Sequence, residues 1–409
     1  MPLHVSRLSK LNMNIGCIRD YESFKKLEPE WNALLQQSHS NSIFLTWEWI
    51  STWWEIFGSD FEMRVLTDYD ASGKLRAIAP LMIGRDKGSF GRNFRCLMII
   101  GQRGDTLAEY LDFLIRPGCE KESIAIFVEY ITRELAADWD YIFFERILTG
   151  SPNFYLLESS FRQKKLRVEC DGKMPSPFLR LPASWDDLIK SQSKNFRSQW
   201  NNSWNRLTRD AEIKLHFAGK DLPIEEAFKE LARLHRLRWE SESESFSTEK
   251  YFKFHRQLSR KLHQNGWLLF MLISANGEYI AARYDFVYAN KIWCFQGGWD
   301  PNYDSKRVGT ILTGKLIEWG IQQGLQEYDF LGGEADYKKR WSDGERLMIN
   351  LTTWNRKSIR GRYCEFIFNC KATRRWIKNQ LRKPNQKNSE LQTNKLLHEQ
   401  PAIDLRANC

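Results

Sequence analysis

The sequence predicts an α/β (α+β) fold of two halves, each a mixed, twisted sheet flanked by helices. The chain has 409 residues, more than one hydrophobic core usually accommodates, and this length favours two domains. Strand-like and helix-like segments are interleaved along both halves, as in α/β proteins. Hydrophobic residues make up 42% of the chain and aromatic residues 14%, which is enough for packed cores.

The first half, assigned to residues 1–180, reads as strands with inserted helices. The stretch FLTWEWISTWWEIFG (44–58) has an N-cap candidate in Thr46, aromatic residues at helical spacing and a stop at Gly58. It predicts an amphipathic helix whose tryptophans lie in the core. Three strands, a helix and a fourth strand follow. Between about 150 and 185 the order weakens, and three prolines in CDGKMPSPFLRLPASW (170–185) indicate a crossover into the second half.

The second half, assigned to residues 181–383, begins with a polar, basic helix, a strand and two further helices. A three-stranded meander follows, and Asn-Gly at 276–277 between two apolar runs is a strong hairpin signal. A basic loop, a helix and a strand at 325–331 come next. A last strand and a basic helix over 356–380 complete the pattern. Residues 384–409 are polar and are predicted to be a disordered tail.

The positive charge is concentrated near the C-terminus. The net charge of the chain is +10, and residues 356–387 alone hold eleven Lys and Arg against one acid, Glu365. Such a segment suits anionic lipid, RNA or an anionic substrate. The alternative is a solvated helix face followed by a loose tail.

Several function classes lack their signals. No apolar run approaches the ~18 residues that a membrane span needs, so we expect no transmembrane segment. The N-terminus has no apolar signal region, and the eight cysteines are scattered without zinc-type spacing, which together predict a cytoplasmic protein with reduced thiols and no metal. Dinucleotide-binding, P-loop, zinc-protease and serine-hydrolase motifs are absent from the sequence.

One loop combines small and basic residues directly before a helix. It contains Ser305, Lys306, Arg307, Gly309 and Thr310. A helix N-terminus offers free backbone N–H groups and the positive end of the helix dipole, so this loop is a candidate pyrophosphate site. An ordinary capped loop would give the same pattern.

The stretch YDFLGGEADYKKRW (328–341) places many titratable groups after a strand that looks buried. Exposed ion pairs at the start of a helix would explain this pattern without a functional role. A second carboxylate, Asp285, lies among residues that look buried in a strand. It is a substrate-binding candidate, because buried carboxylates are rarely without a role, although pairing with Arg283 would also account for it.

These segments carry a resemblance to a known family. The layout of the second half resembles the GNAT acyltransferase fold. Three motifs resemble its FemAB-like branch and the CelD-type acetyltransferases within it: FLTWEWISTWWEIFG, GGWDPNYDSKRVGTIL and YDFLGGEADYKKRW. The match covers roughly residues 40–355 and implies two GNAT-like halves, the second with the better-preserved acyl site.

The resemblance implies roles for the candidate residues. Acetyl-CoA or another acyl-CoA would place its pyrophosphate on Lys306, Arg307, Gly309 and Thr310. An N-acyltransferase needs a base for the amine and an acid for the leaving thiolate. Here the candidates are Glu334 or Asp336 as base and Tyr337 and Tyr303 as donors. Lys338 and Arg340 would hold an anionic acceptor.

The function that follows is acyl-CoA-dependent N-acyl transfer, with acetyl as the expected group. The acceptor would be an amino group on a sugar or another small metabolite, in surface polysaccharide synthesis by family association. One alternative keeps the fold and takes the acyl group from charged tRNA, as FemAB-type aminoacyl transferases do. Another is a non-enzymatic protein that binds nucleic acid or membrane through 356–387.

Overall fold

The structure is a computed structural model, and it describes residues 14–87, 93–104, 106–239 and 248–382. The predicted tail, 384–409, lies outside the described residues. Within them the first half contains, in chain order, β1 (Asn14–Ile18), α1 (Tyr21–Lys25), α2 (Glu28–Gln37), α3 (Trp47–Phe57), β2 (Glu62–Tyr69), β3 (Leu75–Lys87), β4 (Asn93–Ile99), β5 (Leu114–Ile115), α4 (Glu120–Arg133), β6 (Tyr141–Leu148), α5 (Pro152–Gln163) and β7 (Val168–Arg180).

The second half repeats this general order. Its described elements are α6 (Trp185–Ser191), α7 (Lys194–Asp210), β8 (Ile213–Phe217), α8 (Ile224–Trp239), α9 (Glu249–Gln264), β9 (Leu268–Ala275), β10 (Glu278–Tyr288), β11 (Lys291–Trp299), a 3-10 turn (Pro301–Lys306), α10 (Val308–Gln322), β12 (Glu327–Asp329), α11 (Asp336–Trp341), β13 (Gly344–Trp354) and α12 (Ile359–Arg382).

One sheet of thirteen strands joins the two halves across the described residues. The strand order is β1-β2-β3-β4-β6-β13-β7-β12-β11-β10-β9-β8, with β5 attached to β3. This order is symmetric about its centre. Counted from one edge of the sheet, the strands are β1, β2, β3, β4 and β6, and counted from the other edge the equivalent strands are β8, β9, β10, β11 and β12. At the centre the halves exchange strands: β7 pairs with β12, and β13 pairs with β6. The predicted pair of similar halves with mixed sheets is confirmed.

Helix α3 of the first half packs against the second half. The side chain of Thr46 accepts a hydrogen bond from the Trp49 backbone N–H (3.3 Å), and Gly58 is the C-cap, as the sequence predicts. The Trp49 ring is fully buried and makes edge contacts with Phe254 of α9 and Phe286 of β10, at centroid distances of 5.4 and 5.7 Å. The prediction that these tryptophans lie in the core is confirmed.

The predicted loss of order between 150 and 185 is wrong. Residues 152–163 form α5, and residues 168–180 form the central strand β7. Proline cannot donate to a ladder, but the carbonyl groups of Pro175 and Pro177 accept hydrogen bonds from Gly333 (3.1 Å) and Phe330 (3.0 Å). The strand forms because β12 and β13 of the second half flank it, and no local pattern reveals this.

Helix α12 follows the last strand, as predicted, and two arginines of the basic segment form ion pairs with carboxylates of the chain. Arg356 pairs with Glu365 (2.5 Å), and Arg360 lies 3.3 Å from Asp140. Ile359 and Phe366, one heptad apart, are 77% and 62% exposed. Among the described residues, no helix combines the length and the apolar character that crossing a bilayer requires.

Candidate active site

The candidate site begins where β11 and β12 diverge. The strands pair in parallel only from Lys291–Glu327 to Trp293–Asp329. Beyond these pairs β11 continues along β10 to Trp299, whereas the chain after β12 follows β7. A wedge-shaped opening therefore lies between residues 294–299 and residues 330–333, and we call it the wedge.

The N-terminus of α10 follows β11 at one edge of the wedge. Arg307 caps the helix with a left-handed backbone (φ 54°), and no acidic residue occupies the first turn. The first backbone hydrogen bonds of the helix run from Thr310 and Ile311 to the Arg307 carbonyl, so the N–H groups of Val308 and Gly309 precede them. These free donors and the helix dipole favour an anion here.

The predicted pyrophosphate residues meet at this point, but two of them already have partners. The Lys306 Nζ lies 3.1 Å from a carboxylate oxygen of Asp210, and Arg307 donates to the side chain of Gln199. A Cβ on Gly309 would lie 2.8 Å from the ring of Trp299, so the missing side chain makes room for this indole. Exposed pairs of this kind are weak, and a bound phosphate can displace them.

A buried cationic cluster lies beside the wedge. Arg283 of β10 is 6% exposed, and its guanidinium donates to the Cys294 sulfur and lies 5.9 Å from the ring centroid of Tyr337. The Arg238 guanidinium of α8 stacks on Trp299, 3.3 Å from the ring centroid. Burial and the charge of Arg283 lower the pKa of Arg238 to about 10. An anionic group in the wedge would relieve this repulsion.

Asp285 binds Arg283 and fixes its position in this cluster. It is fully buried, and its carboxylate accepts hydrogen bonds from the Phe295 backbone N–H (2.8 Å), the Arg283 Nε (3.2 Å) and the Tyr328 hydroxyl (3.1 Å). Burial raises its pKa to about 6 despite the arginine. These contacts make Asp285 a positioning residue for Arg283.

The titratable groups after β12 separate into two sets. Glu334, Asp336 and Arg340 are exposed, and Glu334 forms an ion pair of 3.4 Å with Lys339. Tyr337 and Lys338 turn inward on the other face of α11. Burial raises the pKa of Tyr337 to about 12.

Lys338 reaches the backbone at the inner end of the wedge. Its Nζ donates to the carbonyl groups of Leu331 (3.2 Å) and Gly332 (2.6 Å), and burial lowers its pKa. Leu331 has a left-handed backbone, with φ of 57°. Tyr303 is separate from this group: it lies partly buried in the 3-10 turn, with the Lys306 Nζ 5.6 Å from its ring centroid.

A carboxylate from the first half completes the site, and the sequence analysis did not single it out. Glu109 is 7% exposed, and its Oε2 accepts a hydrogen bond from the Gly332 N–H (2.7 Å). Burial raises its pKa, while the charges of Arg146 and Lys338 act in the opposite direction. Its position among leucines in GDTLAEYLDF, where a carboxylate looks buried, is the signal that could have found it.

Among the described residues of the first half, the position that corresponds to the wedge is closed. After the parallel pairs Cys96–Tyr141 and Leu97–Ile142, the side chain of Gln102 bridges β4 and β6. Its amide accepts from the Ile99 N–H (2.7 Å) and donates to the Phe143 carbonyl (2.9 Å). Helix α4 also starts with acids, which disfavour phosphate at its N-terminus.

Comparisons with known proteins agree with this fold. Residues 194–339, from the start of α7 to α11, match the acetyltransferase (GNAT) domain family. The solved structure of FemX has a TM-score of 0.57 at 11% identity, over 81% of this chain and 96% of that chain. A conserved protein of unknown function from Bacteroides thetaiotaomicron has a TM-score of 0.50 at 12% identity, over 83% and 99%. No curated protein matches the chain.

The domain match includes both sides of the wedge, and it supports the predicted GNAT-type N-acyltransferase activity for this part of the chain. The likeness to FemX shows a shared fold over most of both chains. The predictions of an enzyme and of GNAT-like halves are confirmed, and the shared fold agrees with the predicted FemAB-like group.

Proposed function

We propose that the protein transfers an acyl group from acyl-CoA, with acetyl as the simplest group, to the primary amine of a sugar or another small metabolite. The observation that carries this proposal is the wedge itself. It has an acid-free helix N-terminus at its outer edge, and at its inner end Lys338 and Glu109 each bind the backbone of Gly332. A cytoplasmic location would give access to acyl-CoA, and the CelD-type resemblance suits surface polysaccharide synthesis.

The donor would bind along the wedge with its pyrophosphate at the start of α10. The N–H groups of Val308 and Gly309, with Lys306 and Arg307, supply the positive end. The thioester would then lie near the Lys338 ammonium, which can stabilise negative charge on the carbonyl oxygen as the tetrahedral intermediate forms.

Glu109 is the base in this proposal. Its raised pKa suits proton transfer nearer neutral pH than an ordinary glutamate allows. It takes a proton from the ammonium of the acceptor, and the neutral amine attacks the thioester carbon. Glu109 releases this first proton to solvent, a C–N bond forms, and the attacking nitrogen passes its second proton to Glu109. The C–S bond breaks, and the CoA thiolate receives that proton from Glu109, directly or through the hydroxyl of Tyr337. Asp336 and Glu334 are exposed, so the proposal assigns them no step.

The test is binding followed by turnover. Calorimetry should detect acetyl-CoA binding to the wild-type chain, and ligand at ~100-fold above its dissociation constant should stabilise the fold by roughly 2.7 kcal/mol. Thiol release with glucosamine should fall in Lys338→Met and persist in Lys214→Met, a cation of β8 that is 61% exposed. Absence of both binding and thiol release with the wild type would reject acyl-CoA as the donor.

Charged tRNA is the second candidate donor. The observation in its favour is that Lys306 and Arg307 already have partners on α7, which weakens the pyrophosphate site. An aminoacyl donor would still need Lys338 and Glu109. Transfer from radiolabelled aminoacyl-tRNA, with no thiol release from acetyl-CoA, would establish this alternative.

Helix α12 is the candidate contact for an anionic partner. Exposed Ile359 and Phe366 stand beside basic residues, a combination that suits an anionic lipid surface better than RNA. Sedimentation with phosphatidylglycerol vesicles should exceed sedimentation with phosphatidylcholine vesicles. Phe366→Ser should reduce it, whereas unchanged sedimentation together with binding to RNA would favour the nucleic acid instead.

A further inference from the structure

A cavity of about 230 Å³ lies between the two halves, on the other side of the sheet from α10. Side chains alternate along a strand, so Trp293 and Asp329, which line the cavity, point away from Ile292 and Tyr328, which pack with α10. Loops of the first half, including 39–42 and 110–112, provide the opposite wall. The reaction described above leaves this cavity unassigned.

Two side-chain oxygens on its lining, the Asn41 Oδ1 and the Ser42 hydroxyl, lack the hydrogen-bond partners that burial normally requires. Ser42 is 3% exposed, and its hydroxyl has no hydrogen-bond partner. Asp112 is 4% exposed and accepts hydrogen bonds from Ser151 (2.5 Å), Asn153 (3.1 Å) and the Phe113 N–H (2.7 Å). None of the described ion pairs involves Asp112. Because buried polar groups are usually satisfied, the two oxygens without partners indicate a missing ligand, and Asp112 has no cation of its own to prevent it from accepting a further hydrogen bond.

The cavity adjoins the reacting groups. Asp329 accepts hydrogen bonds from the Tyr110 hydroxyl (3.1 Å) and from the Leu331 N–H (2.9 Å). Tyr110 is the neighbour of Glu109, and the Leu331 carbonyl is one of the two groups that bind Lys338. A ligand in the cavity would therefore contact Tyr110, the sequence neighbour of the proposed base, and Asp329, which binds the backbone at the inner end of the wedge.

The lining favours a small ligand with many hydroxyl groups. The volume of about 230 Å³ lies below the roughly 300–1,000 Å³ of sites for drug-sized ligands, which favours a ligand of monosaccharide size. Lys291 and Arg346 donate hydrogen bonds, Asp112 and Asp329 accept them, and the formal charges of these four cancel. A cavity that binds pyrophosphate would carry excess positive charge.

We propose that this cavity is the acceptor pocket and that it takes an amino sugar of monosaccharide size. The ring hydroxyls bind Asp112 and Ser42, and the amine points toward Glu109. This inference rests on the proposed N-acyl transfer and names its acceptor class.

Gly150 offers a direct test. It lies exposed on the cavity lining, and a Cβ built on it meets no atom within 4 Å, so Gly150→Phe can narrow the cavity without a clash. The matched control is Ser159→Phe, which adds the same ring to the exposed face of α5, away from the lining. Ser42→Ala is the second variant, since it removes a hydroxyl that has no partner within the protein.

The measurements are glucosamine-dependent thiol release from acetyl-CoA and calorimetric acetyl-CoA affinity. Gly150→Phe should raise the KM for glucosamine at least tenfold, and Ser42→Ala should raise it severalfold. Both variants should keep the wild-type acetyl-CoA affinity, and n-hexylamine should be a poor acceptor for the wild-type chain.

Each opposite result has a distinct meaning. An unchanged glucosamine KM in both variants would show that the acceptor binds elsewhere, although N-acyl transfer would stand. Equal turnover of n-hexylamine and glucosamine, or turnover of simple amines without glucosamine, would overturn the amino-sugar assignment. A wild-type chain that binds no acetyl-CoA would contradict the proposed function itself.

Discussion

Replacing Glu109 by glutamine tests the proposed base with little structural change. The glutamine oxygen can still accept the hydrogen bond from the Gly332 N–H, which is 2.7 Å long in the wild-type chain. The variant loses one negative charge and the ability to take a proton. Turnover should fall about 10²–10⁴-fold, the usual contribution of a general base, which corresponds to about 3–5 kcal/mol of activation free energy.

Stability should respond in the opposite sense. The pKa of Glu109 is higher in the folded protein than in the unfolded chain, so the folded state binds this proton more strongly. Between those two values, rising pH therefore lowers the stability of the wild type, and the charged carboxylate opposes folding at neutral pH. The neutral glutamine avoids this effect, and the melting temperature of Glu109→Gln should equal or exceed that of the wild type.

The assay is thiol release from acetyl-CoA, measured between about pH 5 and 9 with glucosamine as acceptor. In the wild type, kcat/KM should rise with pH through an apparent pKa above the ordinary glutamate value, and Glu109→Gln should lose this limb. Glu212→Gln is the matched control, because that carboxylate is 66% exposed and pairs only with neighbouring Lys214 (2.8 Å) among the described ion pairs.

Two results would refute the assignment. The first is turnover within about threefold of wild type in Glu109→Gln with the acidic limb retained. The second is loss of that limb in Asp336→Asn instead, which would return the base to the exposed face of α11.

Three further predictions concern the supports of the site. Arg283→Met should lower the free energy of unfolding by about 3–5 kcal/mol, because it leaves Asp285 buried without its ion-pair partner. The double variant Arg283→Met/Asp285→Asn should lose less stability than Arg283→Met alone, and an equal or larger loss in the double variant would contradict this reasoning. Arg307→Glu should weaken acetyl-CoA binding about tenfold at low salt. The control is Arg209→Glu, at an exposed position, which should leave the affinity unchanged. Equal calorimetric affinities for the two variants would mean that α10 is not part of the donor site. Gln102→Ala should destabilise the chain by about 1–3 kcal/mol in urea titrations, since two backbone groups lose their partner; an unchanged midpoint would mean that water replaces the amide.

Local signals predicted most helices and hairpins. Thr46 and Gly58 bound α3 because capping depends on neighbouring residues, and the Asn276-Gly277 turn forms because both residues adopt positive φ, at 51° and 89°. Strand β7 was missed for the opposite reason. Its pairing depends on β12 and β13, whose residues come more than a hundred positions later in the chain.

The site was predictable in part. The sequence pointed to the stretch after β12, and Tyr337 and Lys338 do face the wedge. It could not separate them from Asp336, because a helix of six residues shows no periodicity that distinguishes its faces. Glu109 and Arg238 come from distant elements, and only the tertiary fold brings them to the wedge.

The exchange of β7 and β13 has a consequence for synthesis on the ribosome. The edge of β6 is complete only when β13 pairs with it, and β13 ends at Trp354. Until then, the first half of a growing chain exposes an unpaired strand edge, and β7 lacks both of its neighbours. Independent folding of the first half, the usual order for two-domain chains, is therefore blocked by topology. The chain must complete the shared sheet late in translation, and a nascent chain stopped before β13 is a natural client for chaperones.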